Sequence, residues 1–401
     1  MTKAFGVSGQ RKIERLARES FANGFNPAVD HEWKSVGMRD THCHLDRAYT
    51  WDEEYYEHDG GRDQFVDAPL WMKQDAVGAI HRGLAFKSAS LWQRDEYTIL
   101  KKIEAGEKEL WAITDCSPDI GDLSFRIALA LKKKYAKQID IKVGAYPIFG
   151  FKSYTSNEGK ARIGLIRDLA PEADFLVGLP ERDARPDHAE VGFDGHLTLL
   201  IELAIEHEIP FVGHFDQSGR SSEGGTKRFI EAVRWLVTSR LPASKRPRMI
   251  AVHAISPSAY IEEDFLSLLG GMRENNIELC ACIHAAGSML PPRDDVSPGH
   301  NIVARVLEAS LAGVRVSLGT DNIRDLFMPR PVSPLLTREL DIFATNLRFY
   351  NSGVIYKLAR GEPLNNSDFA SIKRNLDINY ARWNMPQGTD ALLAMNPAFQ
   401  G

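Results

Sequence analysis

The sequence predicts an α/β chain wound as a (β/α)8 barrel, and three observations carry that prediction. Apolar runs of strand length recur along the chain and end in residues that can hold a metal: Ile209 to His214, Met249 to His253 and Val314 to Asp321. Unbroken apolar runs of this length suit strands covered on both faces. The spacing is regular, 39 residues from His214 to His253 and 68 from His253 to Asp321. One strand, one helix and two connections take roughly 30–45 residues, so these intervals are one and two βα units.

Taken in chain order, residues 8–23 read as a helix with Ile13, Leu16, Ala17 and Phe21 along one side. The first strand begins near Val36 and ends in Asp40-Thr41-His42-Cys43-His44-Leu45-Asp46. Alternate strand side chains share a face, so His42 and His44 point together while Cys43 points into the wall. The 170 residues from His44 to His214 fit four units with insertions. His42 and His44, His214, His253 and Asp321 then close strands one, five, six and eight on the C-terminal face, where such barrels carry their chemistry. Between them, residues 46–75 form a long loop holding Tyr49, Trp51, Tyr55, Tyr56, Phe65 and Trp71. Such a loop shapes a site, stacks on a flat ring, or packs a lid or subunit interface. Asp122–Lys137 reads as a helix whose Lys132, Lys133 and Lys134 form a solvated face near its C-terminus. Lys142 to Phe149 and Phe175 to Pro180 supply strands three and four.

Cys280-Ala281-Cys282-Ile283-His284 reads as strand seven with three potential ligands on one face. Equivalent side chains repeat about 7 Å apart along a strand, too far to converge on one ion without a bend. Packing is therefore expected for the cysteines and the pocket rim for His284, with a structural zinc as the alternative. Ser221 to Gly225 is a flexible loop after strand five, and Pro291 to Pro298 a stiff connection after strand seven. After Leu340 the chain reads as helical or irregular, with Asn365-Asn366-Ser367 capping a further helix. The expectation is one elaborated domain over 1–401, with the barrel at about 36–345, a helical extension at about 346–401, and little or no accessory β-sandwich.

Composition bounds the function. With 401 residues, 43% hydrophobic, the chain can bury a core of barrel size, and its net charge of −5 gives no reason to expect nucleic-acid or membrane partners. No apolar stretch approaches a membrane span and no signal-peptide core opens the chain, so a soluble cytoplasmic protein is expected. Four cysteines set no disulfide framework. The expected partner is a small-molecule substrate, with a homo-oligomer possible.

The set His42-x-His44 followed by Leu45-Asp46, His214-Phe215-Asp216, His253 and Asp321-Asn322-Ile323-Arg324-Asp325 resembles the amidohydrolase superfamily, in particular its cytosine-deaminase-like branch. The strand-eight run is similar to that of branch members acting on triazine rings. The resemblance spans about residues 36–345. It implies that His42, His44, His214 and Asp321 bind one divalent ion and that His253 contacts the reacting water or the substrate. It also marks departures. Branch deaminases carry Glu where this chain has Gln217, and a base-reading glutamine aligns with Ile148. No lysine stands on strand four to bridge two metals, where Leu179-Pro180-Glu181 occurs instead.

Residue chemistry agrees with that implication. Three imidazoles and a carboxylate suit Zn²⁺ or Fe²⁺ better than Mg²⁺ or Ca²⁺. A metal with an open position lowers the pKa of its water to roughly 7. Asp321 is placed to shuttle a proton and His253 to polarise the carbon under attack. An amide cannot shuttle a proton, so Gln217 removes the usual acid for ring deamination, and Glu181 or Asp216 are candidate substitutes. Asp216 reads equally as a partner fixing a histidine tautomer. Arg324 could bind a substrate carboxylate or keto oxygen, or pair with Asp325, and Arg182 could do the same or pair with Asp183. Phe149, Trp51, Gln217 and His284 complete the expected substrate surroundings. The expected reaction is hydrolysis of a C–N bond in a heterocyclic or amide-containing small molecule. Alternatives are ring-opening amidohydrolysis and a metal-bearing sensor that has lost turnover.

Overall fold

Short apolar runs alternate with helices, and each run pairs in parallel with the next. The computed structural model describes residues 37–52, 55–56, 65, 68, 70–288, 303–328, 334–383 and 388–399. Its strands are β1 (Arg39–His44), β2 (Glu109–Asp115), β3 (Asp140–Tyr146), β4 (Phe175–Gly178), β5 (Phe211–Phe215), β6 (Met249–His253), β7 (Ile277–Ala281) and β8 (Val316–Leu318). They form one sheet in sequential order. The helices through the seventh unit are α1 (Leu70–Arg82), α2 (Ser88–Ala105), α3 (Leu123–Tyr135), α4 (Asn157–Leu169), α5 (Pro180–Asp183), α6 (Gly192–Glu206), α7 (Gly225–Val233), α8 (Glu262–Glu274), α9 (Ile283–Ser288) and α10 (Val306–Leu311). Beyond β8 follow α11 (Leu336–Leu347), α12 (Ser352–Arg360), α13 (Asn366–Trp383) and α14 (Asp390–Met395). This is the (β/α)8 TIM-type barrel.

The sheet closes through the segment after β8. His44 N donates to Asp321 O at 2.9 Å and Asp321 N donates to His42 O at 2.7 Å. Thr41 Oγ1 donates to Leu318 O at 2.9 Å. Asp40, wholly buried, accepts from Thr320 N at 3.0 Å and Thr320 Oγ1 at 2.6 Å, and from Lys102 Nζ at 2.6 Å. Lys102, equally buried, also reaches Glu107 at 3.1 Å, whose other oxygen accepts from Leu336 N at 2.9 Å. One buried ammonium thus ties β1 to α2, to the β8 end and to the start of α11.

The extension beyond residue 345 packs on the barrel: α12 lies against β8 and β1, and α13 against α10. Asn365 Oδ1 accepts from Ser367 N at 3.0 Å and Asp368 N at 3.1 Å, the expected cap. Among the described residues no β-sandwich accompanies the barrel, and no helix is long and apolar enough to cross a membrane. The expected helix at 8–23 and the connection at 291–298 lie outside the described residues.

Two expectations are corrected. The segment after β1 is not loop throughout to residue 75, because α1 starts at Leu70 after a 3₁₀ turn at Leu45–Arg47. Strand seven does not carry Cys280, Cys282 and His284 on one face. The strand ends at Ala281 and the chain turns into α9 at Ile283, so the two-residue period is lost before His284. Thr41 Oγ1 lies 3.3 Å from Cys280 Sγ, and all four cysteines are buried thiols. Lys132 pairs with Asp174 at 2.6 Å and Lys134 with Glu96 at 2.5 Å, as a solvated helix face requires.

Candidate metal centre

Parallel pairing places the strand ends together. In the β5–β6 register His214 faces Val252 and Phe215 faces His253, so the two histidines stand side by side on one rim. Across the barrel, His42 and His44 come up from β1, and Asp321 enters three residues past β8. His44 Nε2 lies 3.3 Å from His214 Nε2 and 3.2 Å from Asp321 Oδ1. His42 Nε2 is 3.6 Å from the same oxygen, and His253 Nε2 is 3.8 Å from Asp321 Oδ2. His42, His44 and His214 form one group of donors within 4.8 Å of one another, and His42, His253 and Asp321 form another.

The chemistry of the donors fits a cation. Among the described residues neither nitrogen of buried His42 has a hydrogen-bond partner, an arrangement that is costly unless something else occupies the lone pair. His214 Nδ1 donates to Gly178 O at 3.1 Å, which leaves Nε2 as the free lone pair facing the cluster. Burial, reinforced by the neighbouring rings, holds His42 and His44 well below the usual imidazole range. Burial also takes His214 and His253 down to about 4, against the opposing pull of Asp321. All four imidazoles are therefore neutral at pH 7, the form that ligates metals.

The backbone is bent to make this rim. Asp216, His253 and Asp321 have φ of 56°, 71° and 56°, in the left-handed region that costs a non-glycine residue about 1 kcal/mol or more. Three such residues at the ends of β5, β6 and β8 mark strain gathered at one place. Gly319 fits the same picture: a Cβ there would lie 2.6 Å from His42 Cβ and 2.8 Å from His42 O. Only a glycine lets the β8 end approach β1 this closely.

A cavity of about 20 Å³, room for roughly one water, opens over the cluster. Its wall includes His44, His214, His253, Asp321 and Gln217 from the expected set. It also includes Arg47, Gln74, Tyr146, Asn322 and Phe327, which the sequence reading did not single out, and Ile148 where a base-reading glutamine was aligned. Tyr146 ends β3 stacked on His214, ring centres 5.2 Å apart. Leu70 and Gln74 bring the first turns of α1 over the cavity.

The other expected residues sit elsewhere. Asp216 Oδ1 and Oδ2 accept from Gly225 N at 2.7 Å and Thr226 N at 2.9 Å, holding the start of α7 and not a histidine tautomer. Glu181 Oε1 accepts from Asp216 N at 3.2 Å, and burial with Asp216 nearby pushes its carboxyl well up. Neither carboxyl borders the cavity. His284 turns to Glu339, its Nδ1 3.4 Å from Oε1. Phe149 lies under the Arg182 and Arg162 guanidiniums, and Trp51 packs edge-on to Tyr56 at 5.3 Å. Arg324 does not border the cavity, and Asp325 accepts instead from Asn322 Nδ2 at 2.6 Å and from Phe327 and Met328 N. Arg182 pairs with Asp75 at 2.8 Å, while Asp183 holds His188 and His196.

No protein-family model matches this chain, and no curated protein does. Solved structures do. A 5-methylcytosine deaminase from Klebsiella pneumoniae, liganded with 5-fluorocytosine, superposes with a TM-score of 0.67 at 19% identity, covering 85% of this chain and 75% of the other. The N-isopropylammelide isopropylaminohydrolase of Burkholderia multivorans gives 0.56 at 18% identity over 88% and 75%. An adenine deaminase from Arthrobacter aurescens gives 0.54 at 12% identity over 87% and 99%. At these identities the likeness establishes a shared barrel architecture.

Proposed function

We propose that this chain is a metal-dependent hydrolase of the amidohydrolase type, cleaving a C–N bond of a small heterocyclic or amide-containing substrate. The observation that carries the reading is the convergence of His42, His44, His214 and Asp321, with His253 beside them, on the C-terminal rim. The solved structures of similar fold, whose names describe deamination or amine release from nitrogen heterocycles, support it. His42, His44, His214 and Asp321 would hold one Zn²⁺ or Fe²⁺, which when bound supplies Lewis acidity and a more acidic water.

The chain's own groups supply the rest. Among the described residues Asp321 is the only carboxylate on the cavity wall, and it takes the proton from the attacking water and returns it to the departing nitrogen. His253 Nε2, 3.8 Å from Asp321 Oδ2, stands where it can donate to the oxygen or nitrogen on the carbon under attack. The apolar walls Ile148, Leu179 and Phe327 exclude bulk water.

Gln217 favours a second reading, ring-opening amidohydrolysis. It lines the cavity with an amide where a proton-shuttling carboxylate would serve a ring deaminase. The test is to load the purified protein with zinc or iron and screen nitrogen heterocycles and cyclic amides for released ammonia or amine, with His214→Ala as the blank. Release with the ring intact supports the first reading, and an opened ring the second. No turnover on any compound, with Gln217→Glu creating one, would favour a sensor.

A further inference from the structure

The cavity over the donor cluster is too small for the reaction proposed there. Its volume of about 20 Å³ takes one water, whereas a benzene ring fills a cavity of about 150 Å³. A heterocycle therefore reaches the donors only after part of the wall moves. Most of the wall is fixed to the barrel. His44, Tyr146, His214 and His253 stand on strands, and the Asp321 backbone is bonded to β1 in both directions. Phe327 N donates to Asp325 Oδ1 at 2.9 Å, and the Phe327 ring lies under the Arg47 guanidinium at 4.9 Å.

Helix α1, which brings Leu70 and Gln74 to the wall, is held differently. Among the described elements its backbone packs closely only on the 3₁₀ turn that follows it, Leu84–Phe86. Its C-terminal half buries Val77, Ile80 and His81, and His81 Nε2 is 3.0 Å from Asp115. The half over the cavity buries Lys73 alone and leaves Trp71 exposed. Side-chain tips hold it at both sides of the mouth. Asp75 Oδ1 accepts from Arg182 Nη1 and Arg185 Nη1, each at 2.8 Å, from the turn after β4. Lys73 Nζ donates to Phe327 O at 3.4 Å on the β8 side. Partly exposed ion pairs are individually weak and part readily. We infer that α1 is the lid of the site: it pivots about His81 and opens when Asp75 leaves Arg182 and Arg185. This latch sets how fast a substrate enters and its product leaves. The inference rests on the hydrolase reading, which puts a substrate in the cavity, and adds how access is controlled.

Two rates test the lid in the metal-free chain. Amide hydrogen exchange over residues 70–82 reads the opening of α1. Modification of buried His253 by diethyl pyrocarbonate, a reagent far larger than a water, reads access to the cavity. Both are followed by mass spectrometry in the native chain, Asp75→Ala and Arg185→Ala, with half-buried His207 and helix α3 as internal references. Asp75 and Arg185 are partly exposed, so both variants should fold. Asp75→Ala should speed both rates by about threefold to tenfold, the worth of two such ion pairs, and leave His207 and α3 unchanged. Arg185→Ala, which leaves one arm of the latch, should speed them by a smaller factor. Unchanged exchange of α1 in Asp75→Ala would overturn the inference. So would faster exchange of α1 with no faster modification of His253, which would make α1 mobile without gating the site. Equal acceleration of α3 would also overturn it, by making the latch a part of global stability. Neither rate needs metal or turnover. A chain that takes up no zinc therefore sinks the hydrolase reading, while these rates still decide whether α1 opens.

Discussion

At the scale of single residues, the convergence of His214, His253 and Asp321 was legible because each closes an apolar run, and that of His42 and His44 because alternate strand residues share a face. Arg47 and Tyr146 were not. Arg47 reaches the cavity only because a 3₁₀ turn folds the chain back after His44, and Tyr146 only because β3 stops where it does. Trp51, Phe149 and His284 misled for the matching reason: aromatic character near a strand end says nothing of which neighbour takes the ring. Gly319 gives the sharpest residue-level prediction. A methyl group there must displace His42, so Gly319→Ala should cost about 1–3 kcal/mol and weaken metal retention. Denaturant midpoints and metal analysis check both, and unchanged metal content would show that His42 does not depend on this close approach.

At the scale of elements, β5 and β6 were legible from continuous hydrophobicity and β1 from its alternating histidines, while the end of β7 was not. Cys280-Ala281-Cys282 keeps a strand-like alternation past the point where α9 begins, and only packing decides between them. The buried ion cluster beside the closure was invisible too, since it forms only when Lys102 of helix α2 meets Asp40 and Glu107. Removing one member of a buried ion cluster leaves the others uncompensated. Lys102→Met should therefore destabilise the fold by about 3–5 kcal/mol, read as a lowered urea midpoint. A change below about 1 kcal/mol would mean that the cluster does not hold β1 to its neighbours.

Helix α1 is held at its C-terminal end by His81, whose Nε2 contacts Asp115 at 3.0 Å and Nδ1 Asp119 at 3.3 Å. Those carboxylates outweigh burial and raise its pKa to about 9.

At the scale of the whole molecule, these titrations bracket stability. His81, raised to about 9 from an ordinary 6.5, contributes fully below pH 6.5 and loses that contribution as pH rises through 9. His214 and His253, lowered to about 4 from 6.5, do the opposite. They stabilise above pH 6.5, and the loss comes as pH falls from 6.5 through 4, where the unfolded chain binds more protons. The metal-free protein should therefore be most stable near neutral pH, with His81→Gln flattening the alkaline limb and leaving the acid limb intact. Thermal melts across that range check the two limbs separately. Adding Zn²⁺ should raise the melting temperature and shift the acid limb downward, because the ion competes with protons for the same nitrogens.

The most direct test of the central claim is the metal content of the purified chain beside His214→Ala, Asp321→Ala and His253→Ala. The account predicts about one equivalent of zinc or iron per chain, lost in the first two variants and kept in the third. Two equivalents would contradict the single-ion centre, and none after reconstitution would contradict the metal-dependent mechanism.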